Sequence, residues 1–152
     1  MPFANKIELY SYLAGFIDGE GCLTIQTPRR RADGSRYLRP KIQVTNTNRT
    51  ILDICLEEWG GYVTFHQPKN KKWRRRFDWA IEHPVDVLYC LDCIERFLIL
   101  KRKQAKNLRR LSEFLSSRKK YSYYSPEEIA ITEAMRVESS LLNRKGNDIA
   151  IQ

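Results

Sequence analysis

No run of the ~20 consecutive apolar residues that a membrane span requires occurs in the 152 residues. The amino-terminal MPFANKIELY lacks the basic-then-apolar order of a secretory signal, so an intracellular protein without a membrane segment is expected. Histidine is scarce, with only His66 and His83, and the four cysteines Cys22, Cys55, Cys90 and Cys93 are irregularly spaced. A chain of this length folds without disulfide staples. Cys90-x-x-Cys93 has no second cysteine pair to complete a four-ligand zinc site, which leaves the two histidines as the only complement. The pair therefore reads as two small apolar residues on one face of a helix over VDVLYCLDCIERFL.

Acids are missing from three stretches. Residues 28–41, 69–76 and 101–120 hold 21 of the 27 Lys and Arg but only two acids, Asp33 and Glu113, a local balance of +19 within a net charge of +9. The remaining 110 residues carry −10. Cations segregated in this way make a polyanion-binding face, because each neutralised phosphate releases condensed counterions. With 42% hydrophobic and 11% aromatic residues the chain can also bury a core, which excludes wholesale disorder. One domain over 1–152 is expected.

Apolar residues at three- and four-residue spacing predict a helix from Lys6 to about Glu20, ended by Gly19 and Gly21. Alternation predicts strands over 22–27 and 37–46, joined by the turn ADGS. Thr47 or Asn48 caps a helix that ends at Gly60-Gly61. A second hairpin, 62–67 and 73–82, follows around the basic loop PKNKK, with Trp73, Phe77 and Trp79 read as core under the sheet in preference to base-stacking groups. Helices are expected over 85–99, from about 100 to 116, and after SPEE at 125–128, where Ser125 is the N-cap. The order is αββαββ followed by helices, two helix-then-hairpin units without a sequence repeat.

The segment 12–21, YLAGFIDGEG, concentrates small residues (Ala14, Gly15, Gly19) inside a predicted helix. Glycine there costs about 1 kcal/mol relative to alanine, which makes sense where another backbone approaches closely. Its carboxyl end carries Asp18 and Glu20 at the negative pole of the helix, beside outward-pointing carbonyls, a favourable place for a hard divalent cation.

LAGFIDGEG at 13–21 resembles the signature of the LAGLIDADG homing endonucleases, in the single-motif, homodimeric, group I intron-encoded type. QVTNTNR at 43–49, GGYV at 60–63 and RFLILKRKQA at 96–105 resemble, in order, the family's second strand end, second hairpin and post-sheet basic helix. The resemblance implies an α+β fold, αββαββα, with a curved antiparallel four-stranded sheet per subunit and helices on one face. It implies a homodimer in which signature helices pair through Leu13, Ala14, Gly15, Phe16 and Asp18, cutting both strands of a long pseudo-palindromic DNA site to leave short 3′ overhangs.

On the same resemblance Glu20 is the metal-binding acid, with the Gly19 carbonyl as its companion. Mg²⁺ is the implied ion; Mn²⁺ would substitute, and Ca²⁺ would bind without supporting cleavage. Asp18 is better read as bonding within the paired helix ends than as a ligand. Lys101 matches the active-site lysine, and Asn46 stands where relatives often have a water-positioning glutamine. Arg49 lies near the family's arginine, with Thr50 the alternative occupant, and a phosphate contact is an equal reading of Arg49. Alternation together with the family geometry places Thr24, Gln26, Arg30, Arg39, Lys41, Gln43, Thr64, His66, Arg74 and Arg76 in the major groove. Arg29, Arg31, Lys69, Lys71 and Lys72 are read as loop contacts to phosphate. The alternatives are an RNA-binding maturase acting on intron RNA and a DNA-binding regulator without cutting activity; Glu20 argues against the second.

Overall fold

The computed structural model describes residues 2–30, 32, 36–119 and 122–144, without the side chains of 28–30 and 36. Helix α1, Lys6–Glu20, opens at Asn5, whose side chain accepts the Glu8 N–H at 3.0 Å while the Glu8 carboxylate accepts the Ala4 N–H at 2.9 Å. The helix runs through Gly19 and ends at Glu20, as expected, with Gly21 as its C-cap. A Cβ at Gly21 would lie 2.7 Å from the Ile17 carbonyl oxygen, so the turn from helix to strand admits only glycine.

Strands β1 (Gly21–Arg30) and β2 (Arg36–Asn46) form the first hairpin; most of the expected ADGS turn lies outside the described residues. Asn48 caps α2 (Arg49–Trp59) by accepting the Thr50 N–H at 2.9 Å. Gly60 and Gly61 then turn the chain at φ of 71° and 86°, backbone open chiefly to glycine. The second hairpin is β3 (Tyr62–His66) with β4 (Arg76–Ile81), followed by α3 (Pro84–Ile94), a 3₁₀ turn over Glu95–Phe97, α4 (Arg102–Ser116) and α5 (Pro126–Leu142). All strand pairs are antiparallel in the order β1-β2-β4-β3, so the hairpins join through β2 and β4.

One face of the sheet carries the core. Leu23, Ile42, Val44, Trp79 and Ile81 are buried against Leu13 and Ile17 of α1, Leu52 and Cys55 of α2, Leu91 and Ile94 of α3, and Leu108 of α4. Trp79 is fully buried, and its indole N–H donates to the Gly60 carbonyl at 2.9 Å.

Trp73 departs from expectation. Strand β4 begins only at Arg76, and Trp73 is 69% exposed in the preceding loop; Phe77 is half-buried. Of the pair read as apolar, Cys90 is a buried free thiol and Cys93 is half-buried; Cys55 is buried as well, and burial pushes Cys55 up to about 12 and Cys90 well above the usual thiol range. Among the described residues no group of three or more His, Cys, Asp or Glu is placed to hold a metal ion.

Helix α5 opens with a full capping box between Ser125 and Glu128 and lies beside β1. The Ile25 N–H donates to Ser139 Oγ at 3.0 Å, and Asn143 Nδ2 donates to the Leu23 carbonyl at 3.0 Å. Side chains of α5 thus satisfy backbone groups along an edge strand of the sheet. No helix among the described residues is long and apolar enough to cross a membrane.

Candidate active site and nucleic-acid interface

The carboxyl end of α1 is fixed by Asp18. Its buried carboxylate accepts the backbone N–H groups of Ile99 (2.7 Å), Leu100 (3.0 Å) and Lys101 (3.0 Å), the segment that leads into α4. Burial pushes the Asp18 carboxyl up, but these three bonds and the Lys101 charge outweigh it and hold the group below the usual range. The same clamp brings Lys101 to the helix end, where its ammonium donates to the Asp18 carbonyl at 2.5 Å. Glu20, the last residue of the helix, is exposed beside it. The exposed Glu20 thus follows by two residues the carbonyl on which the Lys101 ammonium is anchored, at the carboxyl end of α1.

That point adjoins the open face of the sheet. Register places Thr24 beside Lys41, Gln26 beside Arg39, Thr64 beside Asp78 and His66 beside Arg76, with Gln43 opposite Cys22 and Ala80. Eight expected groove residues (Thr24, Gln26, Arg39, Lys41, Gln43, Thr64, His66 and Arg76) share this face by strand parity. Arg74 does not: it lies in the exposed loop before β4. Arg30 ends β1, and its side chain, like that of Arg29 and all of Arg31, lies outside the described residues. Lys69, Lys71 and Lys72 are exposed in the β3–β4 loop, as expected.

The face also holds Asp78, which the alternation of the last strand puts there, and residues that the sequence reading missed, although the same parity could have found them: Cys22, Thr45, Tyr62 and Glu82. Glu82 accepts the Tyr62 hydroxyl at 2.8 Å and pairs with Arg39 at 3.1 Å and Lys41 at 3.4 Å. Burial raises its carboxyl, yet the Tyr62 bond and the two cations prevail and leave it below the usual range. Asp78 accepts the Thr45 hydroxyl at 2.5 Å and lies 3.8 Å from Arg76. Three cations of this face are thus held by two carboxylates.

Asn46 and Arg49 are less central. Asn46 pairs in register with Phe77, on the helix side, and its side chain accepts the Asn48 N–H at 2.8 Å. It stands two residues beyond Val44, the partner of Gly21, so it is close to the end of α1. Arg49 pairs with Asp53 at 2.9 Å on α2 and lies over the Phe77 ring. Thr50 is exposed at the start of α2, where its N–H is capped by Asn48.

The expected helix seam needs correction. Leu13 and Ala14 are completely buried and Asp18 nearly so, all within this chain's own core, so none of the three has surface to offer a second copy. The open side of α1 instead presents Ser11, Tyr12, Gly15 and Gly19, with Phe16 half-buried at its margin. A Cβ on Gly15 or Gly19 would meet nothing within 4 Å, so nothing in this chain requires glycine there.

The sequence matches no protein-family model and no curated protein. Solved structures do match. I-CvuI, a homing endonuclease crystallised in complex with its target, aligns at a TM-score of 0.68 with 19% identity over 93% of this chain and 86% of its own. The archaeal intron-encoded homing endonuclease I-Vdi141I, complexed with DNA, aligns at 0.73 with 19% identity over 91% and 86%. The LAGLIDADG homing endonuclease I-GzeII, in complex with DNA target, aligns at 0.63 with 14% identity, over 83% of this chain but 43% of its own. The αββαββα order, the β1-β2-β4-β3 sheet and these alignments together show that the chain has the LAGLIDADG homing endonuclease fold.

Proposed function

We propose that this chain is a site-specific double-strand DNA endonuclease that works as a homodimer. The observation that carries the reading is the anchoring of Lys101 on the Asp18 carbonyl, two residues before the exposed Glu20 that ends α1, next to a sheet face bearing Arg39, Lys41 and Gln43. I-CvuI, in complex with its target, and I-Vdi141I, complexed with DNA, align with this chain almost from end to end. The chain spans most of I-CvuI and I-Vdi141I but under half of I-GzeII, which supports one sheet per chain and two chains per site.

Glu20 and the Gly19 carbonyl supply only oxygen donors, which suit Mg²⁺; such an ion typically takes one or two carboxylates, with substrate phosphates and water completing the shell. Bound there, the ion would activate water and offset charge on the leaving 3′ oxygen. Lys101, fixed on the Asp18 carbonyl, directs its remaining N–H groups toward the phosphate and stabilises charge as it develops. The polar sheet face lies in the major groove, where Arg and Lys match guanine and Gln matches adenine. A two-fold dimer requires a pseudo-palindromic site, cut to leave short 3′ overhangs. The deciding experiment incubates the protein and Mg²⁺ with a randomised duplex library and sequences the cut ends. One long two-fold site is expected; tight binding without cutting would return the chain to the regulator or maturase reading.

Two expectations follow from the geometry. Gly15→Leu should leave the monomer's thermal stability intact or raised, because its Cβ has free space and leucine favours helix. Self-association, measured by sedimentation, should weaken about tenfold or more, since overpacking costs roughly 1–3 kcal/mol per site. An unaltered dimer would place the seam elsewhere. Glu82→Gln should leave duplex affinity undiminished, since it removes a negative charge from a DNA-facing surface. Discrimination at the base steps read by Arg39 and Lys41 should fall about tenfold, because freed cations drift to phosphates. A site-preference profile identical to the parent's would show that Glu82 positions nothing.

A further inference from the structure

Of the three tryptophans, Trp59 and Trp79 are buried at 3% and 0% exposure, whereas Trp73 is 69% exposed. Its loop is held by Asn70, whose carbonyl accepts the Trp73 N–H and whose side chain accepts the Lys72 N–H, both at 3.0 Å. Residues 67–77 contain six Lys and Arg and no acid. Trp73, Phe65 and Phe77, with Lys71, Lys72, Arg74 and Arg75, line an open groove of about 770 Å³. Phe65 pairs with Phe77 on the strand face shared by Val63 and Trp79, so the groove opens on the opposite side of the sheet from Arg39, Lys41 and Gln43. It lies at the sheet end where Asn46 pairs with Phe77 and Val44 with Gly21, the end that carries Glu20.

We propose that this groove is a second nucleic-acid site, which binds an unpaired nucleotide of single-stranded DNA. The base stacks on Trp73 and Phe65, and the flanking phosphates meet the four cations of the rim. An aromatic platform edged by cations suits this ligand because every base has a π-face and every linkage a charge. A duplex keeps its base faces stacked within itself and cannot offer them. A purely apolar partner would have to desolvate the cations without pairing them. The source of such nucleotides rests on the function proposed above, since a staggered cut leaves unpaired 3′ ends near Glu20; the binding itself does not depend on it.

The test titrates the metal-free 152-residue chain with a fluorescein-labelled oligo(dT) and an unlabelled duplex competitor, reading anisotropy and, with unlabelled oligo(dT), intrinsic fluorescence. Trp73 is the one exposed indole, so quenching by oligo(dT) should persist when the sheet is saturated with duplex. Trp73→Ala should weaken oligo(dT) binding about tenfold, more than it weakens duplex binding, and Trp73→Phe should restore most of the loss. An equal loss on both ligands would make the loop part of the duplex interface and overturn the proposal. So would unchanged oligo(dT) binding by the alanine variant, displacement of oligo(dT) by duplex, or tighter binding of an RNA of equivalent sequence. A protein that cuts no duplex yet binds oligo(dT) through Trp73 would sink the endonuclease reading and leave this one standing.

Discussion

Glu20→Gln should reduce DNA cleavage at least about a thousandfold in single-turnover assays, while duplex binding in Ca²⁺-free buffer changes by no more than a few-fold. The replacement keeps the shape of the side chain and removes the anionic oxygens that a hard cation needs; losses of 10²–10³ accompany removal of even one preorganised electrostatic group. Glu20 is exposed and ends its helix, so the protein should melt at an unchanged temperature, which separates chemistry from folding. Cutting at the parental rate by the glutamine variant would show that the metal is held elsewhere. Loss of binding together with cutting would instead make Glu20 part of the docking surface.

The second large effect is expected at Asp18. Asparagine in its place retains one acceptor oxygen and turns an NH₂ donor toward three backbone N–H groups that all need acceptors. The cost should be about 3 kcal/mol, because buried donors lose a charge-assisted acceptor. For a chain of this size that corresponds to a melting temperature lower by roughly 6–12 °C. The sign of the pH dependence follows from the lowered carboxyl. Asp18 is held below its ordinary 3.8, so its contribution is complete above that value and disappears as the pH falls through the lower folded value. Asp18→Asn should therefore lower stability at neutral pH and flatten the acid limb of the stability profile. Urea titrations between pH 2 and 7 measure both, and an acid limb parallel to the parent's would exclude Asp18 as its source.

Much of this arrangement was legible because local rules agree with one another. The 3.6-residue spacing of α1, the Asn48 cap, the Gly60-Gly61 exit and the Ser125 capping box all depend on neighbours in sequence, and all appear where expected. Strand parity likewise set eight of the ten groove residues on one face. The failures are of two kinds. Asp18 bonds to residues 81 to 83 positions away, and nothing local to either segment announces that contact. Leu13 and Ala14 belong to the seam only if the signature acts as a block. Helix phase divides it: Leu9, Leu13 and Ile17 form the core stripe, Ala14 and Asp18 flank it inward, and Gly15 and Gly19 fall on the far side. At Trp73 a pattern of alternating residues suggested a strand, but the cations around it repel one another. Ladder pairing begins at Arg76, beside the first counter-charge at Asp78.

The two margins of the sheet are finished differently. Along β1 the bonds come from Ser139 and Asn143, side chains on a helix, and a helix surface offers no ladder for a further strand to continue. That margin is thus a terminus for polymer growth at the positions α5 covers: neither a stray peptide nor another copy can zip onto the backbone there. The opposite margin, β3, is five residues long, too short to template an extended ladder. Association of this chain is channelled away from its strand edges, which closes off the open-ended, fibre-forming mode of assembly there.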